Sequence, residues 1–156
     1  MSTKQEWGNA CWHLIHGLTF KINNDDKTLI DQLMIQLYNV CINLPCPDCS
    51  EHAKQTFLHA RNSGIKINTR HDLQAFWWKF HNLVNSRTKK EWVSFEDAKS
   101  KYEKAKLFHM VNNFVRIMKR NVPGERSMMY AMSRQNAVEK MFNFIKENQA
   151  SFDIID

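Results

Sequence analysis

Two apolar-striped stretches meet at Leu44-Pro45-Cys46-Pro47-Asp48-Cys49, and that junction constrains the chain more than any other feature. Proline has no amide hydrogen and its ring clashes with the preceding turn, so Pro45 ends any helix that reaches it. The fixed φ of Pro47 instead suits the first turn of a following helix. Before the junction, the polar break Asn23-Asn24-Asp25-Asp26 can cap a helix that carries Leu29, Leu33, Leu37, Val40 and Leu44 on one stripe, ending at Pro45. After it, Ala53, Phe57 and Ala60 recur at helical spacing until Ser63-Gly64 stops them. Cys46 and Cys49 therefore stand at the head of a helix.

Helical periodicity runs through the rest of the chain. Residues 6–20 carry Trp7, Cys11, Leu14, Ile15 and Leu18. Thr69 caps a fourth helix holding Phe76, Trp77, Trp78 and Phe80, and Ser94 with Asp97 resembles a capping box for a fifth. Residues 107–120 and 128–148 read as two further amphipathic helices, separated by the strong boundary Pro123-Gly124. Met128, Met129, Met132 and Met141 are expected to pack onto the bundle or a second subunit, with an adaptable docking surface as the other reading. The last residues, SFDIID, read as a tail. Strand alternation and hairpin turns are missing, and the Ile65-Lys66-Ile67 run is too short to found a sheet. The fold class is all-α, a helical bundle with a helical C-terminal extension.

Composition removes several classes. A length of 156 residues fits one domain, and 43% apolar with 12% aromatic residues is enough for a core, which excludes general disorder. No apolar run approaches the roughly 18 residues needed to span a membrane. The start, MSTKQEWGN, carries an acid and no apolar segment, so it does not read as a secretory signal. Against 16 Asp and Glu stand 22 Lys and Arg, a net charge of +6. The basic run of Arg87, Lys89, Lys90, Lys99, Lys101, Lys104 and Lys106 is broken by Glu91, Glu96, Asp97 and Glu103, the mixture of a solvated helical face. Nucleic-acid binding is accordingly not expected.

The helix-start amides facing Cys46 and Cys49 stabilise a thiolate, and two intervening residues let the sulfurs meet as a disulfide. His52 follows one turn later. Three readings stand open: a redox-active dithiol, inert thiols, or a zinc site drawn from Cys41, Cys46, Cys49 and His52. A thioredoxin-like assignment fails because that motif needs a βαβ context. On the first helix, Gly8, Trp12 and His16 fall four residues apart on one line, as core packing or as a slot for something flat. On the fourth, His81 and Asn85 share a face with Trp77, and Asn82 lies one step around. Such polar groups beside aromatics need partners. A planar heteroaromatic ligand supplies them, with Lys90 meeting a phosphate. A flavin meets both needs and accepts electrons from a dithiol; without Gly-x-Gly-x-x-Gly it would bind outside a Rossmann fold.

In order and spacing, Trp7-Gly8, Trp12-His13-Leu14-Ile15-His16, Leu44-Pro45-Cys46-Pro47-Asp48-Cys49-Ser50-Glu51-His52 and His81-Asn82-Leu83-Val84-Asn85 resemble the Erv/ALR family of FAD-linked sulfhydryl oxidases. The resemblance covers residues 6–106 and implies a four-helix bundle plus a short fifth helix over 1–106, holding FAD between helices, usually as a homodimer. It implies oxidation of two thiols by dioxygen to a disulfide and hydrogen peroxide. It assigns the flavin-facing role to Cys49 and the interchange role to Cys46. Gly8, Trp12, His16, His52, His81, Asn82, Val84, Asn85 and Lys90 match FAD-lining positions, and Tyr102 matches an aromatic on the fifth helix.

Departures accompany it. Phe76 stands where the family usually has Trp, leaving Trp77 as the candidate aromatic on that side. No cysteine follows Cys49, so the family's helix-tying pair and tail shuttle dithiol have no counterpart, and Cys11 and Cys41 are expected as buried thiols rather than an inter-helix bridge. The chain looks most like the minimal members encoded by large cytoplasmic DNA viruses. That implies a separate thiol protein as substrate or shuttle and a cytoplasmic location, with the mitochondrial intermembrane space as the other compartment. Residues 107–156 have no counterpart in the family core. The rival function is a zinc-stabilised helical module binding nucleic acid.

Overall fold

The structure is a computed structural model, and it describes residues 3–120 and 128–154; the Pro123-Gly124 boundary lies outside them. The described residues form α1 (Lys4–Lys21), α2 (Lys27–Cys41), α3 (Pro47–Asn62), α4 (Arg70–Arg87), α5 (Phe95–Glu103), α6 (Leu107–Met118) and α7 (Met128–Glu147), then a short 3-10 turn (Gln149–Ser151). No strand forms among them, so the all-α class holds. No helix among them is long and apolar enough to cross a membrane.

Side chains set the helix starts. Asp26 accepts from the amides of Thr28 and Leu29, and Thr69 and Asp72 close a full capping box on α4. Ser94 accepts from the Asp97 amide at α5. One boundary departs from expectation: α2 stops at Cys41 rather than at Pro45. Steric conflict with Pro45 bars Leu44 from the helical region, and the Asn43 side chain donates to the Asn39 carbonyl at 2.8 Å, closing the helix early. Leu44 is left in a connecting loop.

α1 lies centrally, packed on α4, α5 and α6, while α2 packs on α3 and α7. Leu14, Leu18, Leu33, Leu37 and Leu73 are fully buried, and burying each such side chain contributes about 1.5–3 kcal/mol. α6 and α7 are built into this core: Val111, Phe114, Val138, Met141 and Ile145 join the cluster centred on α1 and α2. The α1–α6 approach is close at Gly17, where a Cβ would fall 2.7 Å from the Met110 Sδ. Of the four methionines expected to pack, only Met141 is buried; Met128, Met129 and Met132 are exposed.

For residues 151–154 the tail reading is corrected; residues 155–156 lie outside the described residues. Phe152 is buried and pairs with Ile22 in an isolated antiparallel bridge. The Asn23 amide donates to the Ser151 carbonyl at 2.9 Å, and the Asp153 amide donates to the Lys21 carbonyl at 2.7 Å. An aromatic side chain with a core to enter outweighs the polar composition around it.

Candidate functional site

Cys46 is the N-cap residue of α3, followed by Pro47 in the first turn. Its Sγ accepts from the Cys49 amide at 3.1 Å and is bonded to the Cys49 Sγ, with Cα atoms 5.2 Å apart. The same amide and the positive helix end stabilise the Cys46 thiolate once the bond opens. Two sulfurs joined to each other ligate no zinc, and no group of three or more His, Cys, Asp or Glu among the described residues is placed to hold a metal. In this disulfide form the four-ligand set of Cys41, Cys46, Cys49 and His52 is not assembled.

The disulfide opens on a cavity of about 850 Å³. Gly8, Trp12, Cys46, Cys49, His52, Val84, Asn85 and Lys90 line it together. The volume lies within the range of small-molecule and cofactor sites. The other expected residues are placed differently. The Trp12 and His81 rings stack with centroids 3.8 Å apart and planes 8° from parallel. His81 meets His16 edge to edge, with Nδ1 and Nε2 2.8 Å apart, and His16 stacks on Tyr102 at 4.9 Å, so the run of flat rings continues away from the cavity wall. Burial pushes the His16 imidazole down to about 3, aided by His81, and pushes His81 down to about 4, aided by Lys90. Burial pushes the Tyr102 phenol up to about 12. These rings are neutral at physiological pH.

Asn82 spends its amide on the backbone of Val93, donating to the carbonyl at 2.9 Å and accepting from the N–H at 3.0 Å. It thereby ties the segment between α4 and α5 to α4. Trp77 does not reach the cavity. It is fully buried against Phe57, Phe76 and Phe80, with its indole N–H directed at Met34 Sδ, 3.2 Å away. Helical spacing put Trp77 on the face of His81, but that face is wide and its edge turns into the core.

Sequence reasoning passed over Phe80, Arg87, Thr88 and Lys4, all of which line the cavity. A usable signal was Arg87-Thr88-Lys89-Lys90 at a helix end. There α4 closes in a Schellman motif: the Lys89 amide donates to Ser86 O and the Lys90 amide to Asn85 O at 2.8 Å. Lys89 takes the left-handed position, φ 59°, usually given to glycine. This turn carries Lys90 back to the cavity wall, so Lys4, Arg87 and Lys90 all contribute positive charge to the lining. Cys11 and Cys41 are buried free thiols that also border the cavity; burial pushes Cys41 up to about 12 and holds Cys11 well above its ordinary range, so neither is a nucleophile.

These residues fit a planar, anionic cofactor such as FAD. The buried Nδ1 of His16 has no hydrogen-bond partner among the described residues. A Cβ at Gly8 would meet no protein atom within 4 Å, so α1 presents bare backbone at the wall. The lining includes the aromatic rings of Trp7, Trp12 and Phe80 and the three cations Lys4, Arg87 and Lys90.

Comparison with known proteins agrees with this geometry. The Erv1/Alr family model matches residues 9–106. A protein of Invertebrate iridescent virus 3 named as an FAD-linked sulfhydryl oxidase is 28% identical over 97 residues, 62% of this chain, and the match spans 65% of that relative's length. An FAD-linked sulfhydryl oxidase of African swine fever virus is 28% identical over 102 residues, 65% of this chain and 83% of its own. One of fowlpox virus is 30% identical over 80 residues, 51% of this chain and 76% of its own. No solved structure matches significantly. With the family model covering well over half of its length, the chain belongs to the Erv1/Alr family.

Proposed function

We propose that this chain is an FAD-dependent thiol oxidase that makes disulfides in a thiol-containing protein and passes the electrons to dioxygen. The observation that carries the reading is the Cys46–Cys49 disulfide at the head of α3, on the wall of the cavity that also holds Gly8, Trp12, Asn85 and Lys90.

The protein chemistry is thiol–disulfide exchange. A substrate thiolate attacks Cys46 Sγ, the Cys46–Cys49 bond breaks, and Cys49 leaves as a thiolate. A second substrate thiolate attacks the substrate sulfur of the mixed disulfide, releasing Cys46 as a thiolate and the substrate as a disulfide. The dithiol now holds two electrons. Bound FAD supplies a two-electron acceptor that dioxygen reoxidises, giving hydrogen peroxide. Around it, Trp12 offers a ring face, Asn85 a carboxamide, and Lys4, Arg87 and Lys90 charge for phosphates. His16 backs this wall through its hydrogen bond to His81, which stacks on Trp12, and Asn82 holds the α4–α5 segment in place. Cys46, as N-cap, is the exchanging sulfur because a helix-stabilised thiolate is the better leaving group.

A separate thiol protein as donor, a homodimer and a cytoplasmic setting belong to the same proposal. The viral source of the relatives supports the last, and the apolar Ile35 and Leu58, exposed on α2 and α3, support the second. The deciding experiment is the visible spectrum of purified, dialysed protein. An oxidised-flavin spectrum that bleaches with dithiothreitol and returns with air is expected, and Cys49→Ser should keep the flavin but not bleach. A colourless protein that FAD cannot reconstitute would overturn the reading.

A further inference from the structure

We propose that Tyr130, on the helix beyond the family match, is a positioning residue for thiol–disulfide exchange at Cys46. The inference rests on the exchange role given to Cys46 above. The family model ends at residue 106, whereas Tyr130 sits in the first turns of α7. Its hydroxyl donates to the Leu44 carbonyl at 2.6 Å and lies 3.4 Å from Ser50 Oγ. Ser50 Oγ in turn accepts from the Leu44 amide at 2.9 Å.

The donors add up in only one way. Tyr130 spends its proton on the Leu44 carbonyl, so Ser50 is the donor to the Tyr130 oxygen, and Leu44 N–H is the donor to Ser50. Three hydrogen bonds form a closed ring through both backbone polar groups of Leu44. Leu44 lies two residues before Cys46 and Ser50 one after Cys49, so the ring spans the redox motif.

The loop needs this outside hold. α2 has already ended at Cys41, Pro45 has no N–H to donate, and Leu44 has no helical partner. Without the Tyr130 hydroxyl, the Leu44 carbonyl loses its donor and residues 42–46 lose the contact that fixes their path into α3. Cys46 Sγ then no longer sits reliably at 3.1 Å from the Cys49 amide. Its thiolate is less stabilised, so Cys46 attacks and leaves more slowly near neutral pH.

The test uses the full-length, FAD-loaded chain and Tyr130→Phe, which keeps the ring and removes only the hydroxyl. Two readings are taken: the pH profile of Cys46 alkylation by iodoacetamide in anaerobically reduced protein, resolved by peptide mass, and kcat with KM for dithiothreitol. The expected result is a Cys46 profile moved up by about half to one pH unit and kcat lowered about three- to tenfold, with KM within about twofold. Ser50→Ala should do the same, and the double variant should be no worse than the more affected single one, because both changes break one ring. An alkylation profile identical to wild type overturns the proposal, whether or not thermal stability drops. Should Tyr130→Phe fail to fold, the Ser50→Ala profile decides alone. If the wild type itself neither holds FAD nor oxidises dithiothreitol, the oxidase reading fails while the alkylation profile still decides the role of Tyr130.

Discussion

His16 Nε2 and His81 Nδ1 lie 2.8 Å apart, so α1 and α4 are joined by one proton held between two imidazoles. Trp12 closes the other face of His81 at 3.8 Å. Neither ring can take a second proton cheaply, because His16 is buried, His81 is half-buried, and the charge would face its neighbour.

That pair makes stability depend on acid. Both imidazoles are held below their ordinary range, His16 at about 3 and His81 at about 4, by burial first. Between those values and about 6.5, the unfolded chain binds protons that the folded chain refuses, so stability is full above about pH 6.5 and falls as pH drops towards 4. Urea unfolding at pH 7.0, 5.5 and 4.5 should show a loss of about 2 kcal/mol or more over that range. In His16→Gln, which hydrogen-bonds but does not titrate, the loss should shrink by roughly half. An unchanged pH slope would remove His16 as the cause.

Gly8 separates cofactor binding from folding. A helical glycine replaced by a larger residue gains up to about 1 kcal/mol of helix propensity, and a Cβ here meets no protein atom. Gly8→Leu should therefore melt no lower than wild type without cofactor, yet place its side chain at the cavity wall. We expect purified Gly8→Leu to carry at least about tenfold less FAD by absorbance, as displacing a ring from its seat costs more than about 1.4 kcal/mol. Wild-type FAD content would show that the cofactor does not approach α1 at this point.

Much of this could be read from the chain itself. Pro45 and Pro47 fixed the Cys46–Cys49 pair at a helix start because proline acts locally, and the Thr69 and Ser94 caps were legible for the same reason. Gly8, Trp12, Asn85 and Lys90 reached one cavity as helical spacing and the resemblance implied. What escaped was set by contacts distant in sequence. Trp77 shares a helical line with His81, but which edge of α4 meets the core depends on Phe57 from α3. Phe152 looked like a tail residue until Ile22 supplied a bridge partner. Tyr130 carried no motif at all, and its meaning lies in a carbonyl 86 positions away.

The turn after α4 carries a removable cost. Lys89 occupies the left-handed region at φ 59°, where a Cβ is crowded and glycine is not. Lys89→Gly should raise stability by about 1 kcal/mol, or Tm by roughly 2–4 °C for a chain of this size. Because the Lys90 amide keeps its bond to Asn85 O, FAD content should not change. A lower Tm would mean that the Lys89 side chain makes a contact worth more than the strain.

Arg134 anchors the helix that brings Tyr130 to the redox loop. Fully buried, its Nε donates to Met118 O and its Nη2 to Arg120 O, both at 2.9 Å, capping the end of α6 from α7. Arg134→Met keeps the bulk but leaves buried carbonyls without a charged donor, a loss of about 3 kcal/mol, or roughly 6–12 °C in Tm. Arg134→Lys, a single point donor, should lose about half of that. Tyr130 and Arg134 are one helical turn apart, so loosening α7 at Arg134 should also slacken the hold on Leu44. We therefore expect Cys46 alkylation in Arg134→Met, measured well below its Tm, to shift in the same direction as in Tyr130→Phe. A large Tm loss with wild-type Cys46 reactivity would show that α7 holds the redox loop through Tyr130 without help from the α6 cap.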